Sequence, residues 1–350
     1  MKNQPERYSS KEMLRSKEQT VTVRSAHPKS SIKLDALRYK GMEIIGIDHG
    51  FGQIKTRYNT FRSGVETRDT EPPVGGDLLI YDGRYHIIGE KHKTFLQDKS
   101  QDEDYYLLTV AALAKEMVSR QLREADVIIA AGLPLQWNTI QKDVFREYLL
   151  QKEKLEFRYR DKDFKVRICG ALVYPQGFAG VAQDMASFSG INLLADIGNG
   201  TMNTMYINHH KPVATKCFTD KLGVEQCVIR MQNEFQALSG STAPHELLES
   251  FLWNGGSDSL REKYTEPMEK IARQYASQII DRLREYEYNP EIMKLHVMGG
   301  GICILKHFWD TKGANVHFIE DIRATAKGYE QCALNDLRRG KNYGRTGEAA

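Results

Sequence analysis

The stretch that decides the fold is Leu193-Leu194-Ala195-Asp196-Ile197-Gly198-Asn199-Gly200-Thr201-Met202-Asn203. An apolar run of strand length brings one carboxylate, Asp196, to its end. Gly198 and Gly200 then permit a tight turn whose backbone N–H groups can close around an anion. Taken alone, the same residues also suit a plain hairpin turn. The chain repeats the pattern: Met42-Glu43-Ile44-Ile45-Gly46-Ile47-Asp48-His49-Gly50-Phe51-Gly52-Gln53-Ile54-Lys55 again gives an apolar strand, a terminal Asp, two alternating glycines and a second strand. Two copies imply two similar half-domains facing one ligand, with loops suited to phosphate and metal. Lys55 alternates onto the loop side of its strand, within reach of a phosphate.

Outward from the first loop, Pro72-Pro73 and Gly75-Gly76 mark turns. The short alternating runs 78–81 and 85–88 then predict a small sheet inserted at about 70–103. Residues 104–123 carry Leu107, Val110, Ala111, Ala114, Met117 and Val118 at helical spacing behind an acidic cluster suited to a helix N-terminus. A buried strand at 126–133, a helix at 137–151 and charged strands within 154–169 follow. Ala171–Tyr174 ends at Pro175-Gln176-Gly177, and small residues open a helix running to Phe188. Gln176 thus stands at a strand-to-helix corner, either capping the helix or orienting a water with its acceptor and donor.

Beyond the second loop, strands are expected at 204–207 and 213–218, and Leu222-Gly223-Val224-Glu225 starts a helix to about Leu238. Helices near 245–252 and 259–286 complete an insert spanning about 222–288. An apolar strand at 294–298 runs into Gly299-Gly300-Gly301 and an apolar helix, where bare backbone lets a flat ring or a phosphate approach closely. A strand at 316–319 and a helix from Ile322 to about Arg338 precede a basic tail at 341–350.

Composition is that of a globular protein, 41% apolar and 27% charged over 350 residues. No apolar run approaches the roughly 20 residues of a membrane helix, so no membrane partner and a cytoplasmic location are expected. The five cysteines are widely spaced in apolar surroundings and read as buried thiols. The net charge of +3 is uneven: residues 1–40 hold ten Lys/Arg against four Asp/Glu, which leaves the remainder at −3. Residues 1–41 read as a flexible basic N-terminal extension, with the first core strand beginning at Met42.

The two Asp-x-Gly-x-Gly hairpins, the Pro-Gln-Gly corner, Met298–Ile302 and the helix at Ala324–Gly328 come in an order that resembles the actin, sugar kinase and DnaK-type chaperone superfamily. Gly-Leu-Pro at 132–134, Leu-Gly-Val at 222–224 and the short inserts are similar to the ParM (StbA) plasmid-segregation actins. The resemblance implies an α/β, actin-like ATPase fold of two similar domains around a nucleotide cleft. Domain I would cover 42–190 and domain II 191–323, with a helix at 324–340 returning to domain I. It implies ATP or GTP with Mg²⁺, the metal facing Asp48 and Asp196 and the phosphates clasped by Gly50, Phe51, Gly52, Gln53 and Lys55 on one side. Gly198, Asn199, Gly200 and Thr201 would close from the other, and Gly223, Glu225, Gly299, Gly300, Gly301 and Ile302 would surround the nucleoside. Catalytic roles fall on Gln176, Asp48 and Asp196; ParM-type proteins often have Glu where this chain has Gln176.

The implied partners are further copies of the chain in a filament and a DNA-binding adaptor at a centromere-like plasmid site. Direct DNA binding by the basic extension should be weak and salt-sensitive. A small-molecule kinase on the same fold is the main rival, but it needs a carboxylate base for the substrate hydroxyl, and the corner offers Gln176. A filament protein that binds nucleotide without hydrolysing it is a further alternative.

Overall fold

The computed structural model describes residues 35–344 apart from 74–75, 90–101, 183 and 258. Most of the expected N-terminal extension, part of the first insert and the end of the tail therefore lie outside the described residues.

The first sheet contains β1 (Arg38–Tyr39), β2 (Met42–His49), β3 (Gln53–Lys55), β4 (Thr60–Arg62), β5 (Val65–Arg68), β6 (Leu78–Tyr81), β7 (Arg84–Ile88), β8 (Glu124–Leu133), β9 (Lys154–Tyr159) and β10 (Lys162–Pro175). Its order is β4-β3-β2-β8-β10-β9-β6-β7-β5, with β1 pairing on β2. The centre, β2-β8-β10, is parallel and buried on both faces, which is why these strands read as nearly unbroken apolar runs. Ile45, Ile47, Val127 and Ile129 face a core shared with α1 (Glu103–Ser119) and α2 (Leu135–Leu149). Their neighbours Ile44, Ile128 and Ala130 face the opposite side, against α8 (Ala324–Arg338) and Ala179 of the short α3 (Phe178–Val181).

The second sheet has the order β13-β12-β11-β14-β15, built from β11 (Ile191–Ile197), β12 (Met202–Asn208), β13 (Lys211–Asp220), β14 (Lys294–Met298) and β15 (Val316–Phe318). Its core is closed by α4 (Val224–Ser239), α5 (His245–Asn254), α6 (Glu262–Glu285) and α7 (Ile302–Phe308). After this second sheet α8 crosses back to the first. Contact with α3 is backbone to backbone: a Cβ at Gly328 would lie 1.9 Å from the Ala179 carbonyl, so only glycine lets the helices approach.

A buried ionic cluster ties α8, α1 and β2 together. Arg120 donates to Glu43 at 2.7 Å, to Glu116 at 2.9 Å and to Glu330 at 2.9 Å. Glu330 also accepts from Arg57 and from the Gly46 amide. Burial alone would lower the Arg120 pKa, but the three carboxylates outweigh it and push it up.

Several elements differ from the sequence reading. Within the stretch assigned there to the flexible extension, Arg38 and Tyr39 belong to the sheet, pairing with Glu43 and Met42. Leu37 and Tyr39 pack on the core beneath α8, so a two-residue strand too short for any periodicity is held by burial. The strands expected on either side of Cys169 are one 14-residue strand, β10, because Lys162–Arg167 pair with β9 and Lys165–Pro175 with β8, the latter across a bulge at Ile168/Gly170. The helix expected to reach Phe188 stops at Val181 and is followed by a 3₁₀ turn at Met185–Ser187. Phe188 is drawn into the core, stacking 4.0 Å from the His296 ring. The inserted strands β6 and β7 extend the first sheet through β9 rather than forming one of their own.

Candidate functional site

The C-terminal ends of β2, β10 and β11 converge on one cleft of about 850 Å³, open mouth included. Asp48 lies directly across the first hairpin from Lys55, whose Nζ is 3.7 Å from Asp48 Oδ2. Gln176 follows the last residue of β10, and its amide donates to the Leu133 carbonyl at 2.7 Å, pinning the corner to β8. The Gln176 side chain makes no helix cap; it turns inward, with Nε2 3.2 Å from Asp48 Oδ1. Gly177 has φ +81°, and a Cβ there would stand 3.3 Å from the Asp196 side chain. This left-handed glycine brings the corner against the second carboxylate.

The two glycine loops touch: a Cβ at Gly52 would lie 2.7 Å from the Asn199 side chain. The second loop is braced from behind. Gly198 donates to the Thr201 carbonyl at 2.8 Å, and the first amides of α4, those of Val224 and Glu225, donate to the Gly198 and Asn199 carbonyls. The N-terminus of a 16-residue helix is thereby directed at the second loop, a favourable field for a phosphate.

Asp196 is buried. That burial, and after it the Asp48 carboxylate, push its pKa up to about 6, with Lys55 acting in the opposite sense. Two carboxylates confined together with one lysine form a site that a divalent cation would relieve. Among the described residues no group of three or more His, Cys, Asp or Glu could hold a metal. An ion here would draw on the two aspartates and otherwise on waters and ligand oxygens, the donor set Mg²⁺ prefers. The residues present fit that ion.

Of the residues singled out by sequence, Asp48, Gly50, Phe51, Gly52, Gln53 and Lys55 line the cleft from one side. Asp196, Gly198, Asn199, Gly200, Thr201 and Gly300 line it from the other, with Gln176 at the floor. Gly223, Glu225, Gly299, Gly301 and Ile302 stand behind this lining. Gly301 donates to the Ile197 carbonyl and packs on that residue, and Ile302 is buried in the second core. Glu225 holds His245, whose Nε2 is 2.9 Å away, and that bond raises the imidazole pKa.

Sequence reading missed Arg62 on β4, Asn203 on β12 and the α5 trio His245, Glu249 and Trp253, all of which line the cleft. Asn203 Oδ1 accepts from Thr219 at 2.9 Å. The four-residue spacing of the trio is a signal in principle, since i, i+4 and i+8 share a helix face. It is indistinguishable in sequence from an ordinary helix stripe.

This geometry, two sheet halves clasping a cleft with paired glycine hairpins, is the actin-like fold. Residues 46–178 match the family profile described as "Actin like proteins N terminal domain", and residues 194–310 match "Archaeal actin homologue MreB-like, C-terminal". Between them the two matches span most of the chain, which belongs to the actin-like proteins. A search of curated proteins finds no match.

Among solved structures the chain is similar to Ta0583, an archaeal actin homologue in complex with ADP. That likeness has a TM-score of 0.68 at 20% identity and covers 83% of this chain and 99% of that one. It is also similar to the subunit of a 15-stranded ParM filament from Clostridium botulinum, with a TM-score of 0.65 at 18% identity, covering 83% and 99% of the two chains. The Alp12 filament structure gives 0.60 at 16% identity, covering 84% and 98%.

Proposed function

We propose that the protein is a ParM-like actin that binds ATP or GTP with Mg²⁺, polymerises in that state and hydrolyses the nucleotide as the filament ages. The observation that carries this reading is the meeting of both glycine loops around Asp48, Asp196, Lys55 and Gln176 in one cleft. Phosphates would rest on the loop amides, within the field of the α4 N-terminus, with Lys55 neutralising the β- and γ-phosphates. Asp48 and Asp196 would hold Mg²⁺, which when bound would supply positive charge to offset that developing on the phosphate oxygens. Gln176, kept at the floor by its bond to Asp48, would orient the attacking water in line with the γ-phosphate. Such a reaction depends on positioning and electrostatics more than on covalent help from the protein.

Similarity to proteins solved as filaments supports self-association as the output of the cycle. In this reading the filament drives plasmid segregation through a DNA-binding adaptor, and contact of the chain itself with DNA is weak. Hydrolysis would be slow in the monomer and faster where subunit contacts close the cleft. The test is phosphate release followed alongside light scattering after addition of Mg-ATP or Mg-GTP. Release that accompanies assembly is expected; assembly with no release would move the protein to a non-hydrolysing filament.

A further inference from the structure

Away from the cleft, the second sheet carries a pair of histidines that the nucleotide reading does not use. His296 of β14 and His317 of β15 stand directly opposite each other across the parallel pair. Leu295 and Val297 belong to the core closed by α4–α7, so strand alternation puts His296 on the other face of the sheet, beside Phe188. His296 is buried and His317 exposed. Their Nδ1 atoms are 3.3 Å apart, and the two rings are perpendicular.

The buried ring is fixed both in tautomer and in orientation. Asn192 Nδ2 donates to the Ser189 carbonyl at 3.0 Å, which leaves the amide oxygen facing His296, 3.1 Å from its Nε2. That oxygen only accepts, so Nε2 carries the hydrogen. Burial first, then Lys294 and His317, lower the His296 pKa to about 4, so the ring is neutral near neutral pH and Nδ1 offers a bare lone pair toward His317. Stacking on Phe188, with ring centroids 4.0 Å apart, holds the ring plane. A neutral imidazole whose far N–H is held by an oxygen acceptor is the form in which proteins present a metal ligand.

We infer that His296 and His317 form a two-histidine site for Zn²⁺, the ion joining their Nδ1 atoms and tying the edge strand β15 to β14. Two Zn–N bonds of about 2.05 Å spanning the observed 3.3 Å enclose an angle of about 107°, close to the tetrahedral value. Square-planar Cu²⁺ would draw its neighbouring nitrogens to about 2.9 Å, and Mg²⁺ favours oxygen ligands. Water completes the coordination, and His317 binds with its hydrogen on Nε2. The site has two protein ligands rather than four, and the Lys294 cation is close enough to act on His296, so the affinity is on the order of micromolar. β15 is three residues long and pairs with β14 alone, so the ion clamps the sheet where its pairing is thinnest.

The site is independent of the nucleotide reading. Titration calorimetry of the full chain with Zn²⁺ is run in excess Mg²⁺, which keeps the Asp48–Asp196 cleft from being the site read. One equivalent of Zn²⁺ should bind. His317→Ala removes one of the two ligands at an exposed position, where folding is not at stake, and thermal unfolding of the variant verifies this. It should weaken that equivalent by about 100-fold or more, beyond the usual cost of losing a supporting residue. Hydrogen exchange locates the ion: Zn²⁺ at about 100 times its Kd should slow exchange of the β15 amides by up to about 100-fold in the unsubstituted chain, and not at all in His317→Ala. Zinc binding that survives His317→Ala, or that leaves β15 exchange untouched, would overturn the assignment. So would the absence of uptake at millimolar Zn²⁺, which would leave the two rings as a hydrogen-bonded pair only.

Discussion

Asp196 is buried beside a second carboxylate, and in the nucleotide-free chain that arrangement is a cost. Its pKa is raised from 3.8 to about 6, so the folded state binds its proton more tightly than the unfolded state does. Stability from this group is therefore present at low pH and is lost as pH rises through about 6, on the order of 3 kcal/mol by pH 7. Asp196→Asn should raise the Tm of the nucleotide-free protein at pH 7, with the gain vanishing near pH 4, while Mg-nucleotide binding weakens. A Tm difference that does not change with pH would show that the carboxylate carries no such burden. Gln176→Ala leaves both aspartates in place, so binding and assembly should persist while phosphate release slows by roughly 10- to 1000-fold. Unchanged release in that variant would assign the water to another side chain.

At this scale the sequence discloses residues whose backbone demands are unusual. Gly52, Gly177 and the paired loop glycines are needed where chains touch or φ turns positive, and their spacing betrays them. Glu249, Trp253 and Arg62 obey no such demand. Any amphipathic helix or edge strand places a Glu, a Trp or an Arg in the same way, and only the fold brings them to one cleft.

Among the elements, those with long apolar runs are the legible ones: β2, β8, β11 and β14 are near-continuous buried strands, and their recognition required no tertiary information. The edge strands β4 and β5 are three and four residues long and half polar, and β1 is two residues long. Their positions follow from neighbours in space. Truncation through residue 40 should thus do more than shed charge. It removes Leu37 and Tyr39 from the core under α8 and the Arg38–Glu43 pair at 2.5 Å, at a cost of about 2–4 kcal/mol. Chemical denaturation of the truncated chain measures it; an unchanged midpoint would make β1 dispensable.

A second element-scale expectation concerns β14. His296 is buried mid-strand, 3.1 Å from Asn192 Oδ1, stacked on Phe188, with its Nδ1 3.3 Å from that of His317. Burial first, then Lys294 and His317, lower its pKa to about 4. The unfolded chain, with a histidine near 6.5, takes up the proton first. Stability should accordingly fall as pH drops from about 6.5 to 4, by on the order of 3 kcal/mol from this group. His296→Gln should flatten that part of the Tm profile; an equally steep profile would place the acid sensitivity elsewhere.

For the whole molecule, the order of glycine loops, corner and returning helix is enough to read the two-sheet architecture, because each station needs particular residue types. Surfaces that join subunits have no comparable linear signature, since exposed positions tolerate many side chains. The central claim, that nucleotide bound between the two halves drives assembly, is tested most directly by light scattering with electron microscopy of the purified full chain. The conditions are Mg-ATP, Mg-GTP and no nucleotide. Filaments with a Mg-nucleoside triphosphate and none without it are the expected result. A chain that stays monomeric with both nucleotides while transferring the γ-phosphate to a sugar or small acid would contradict it.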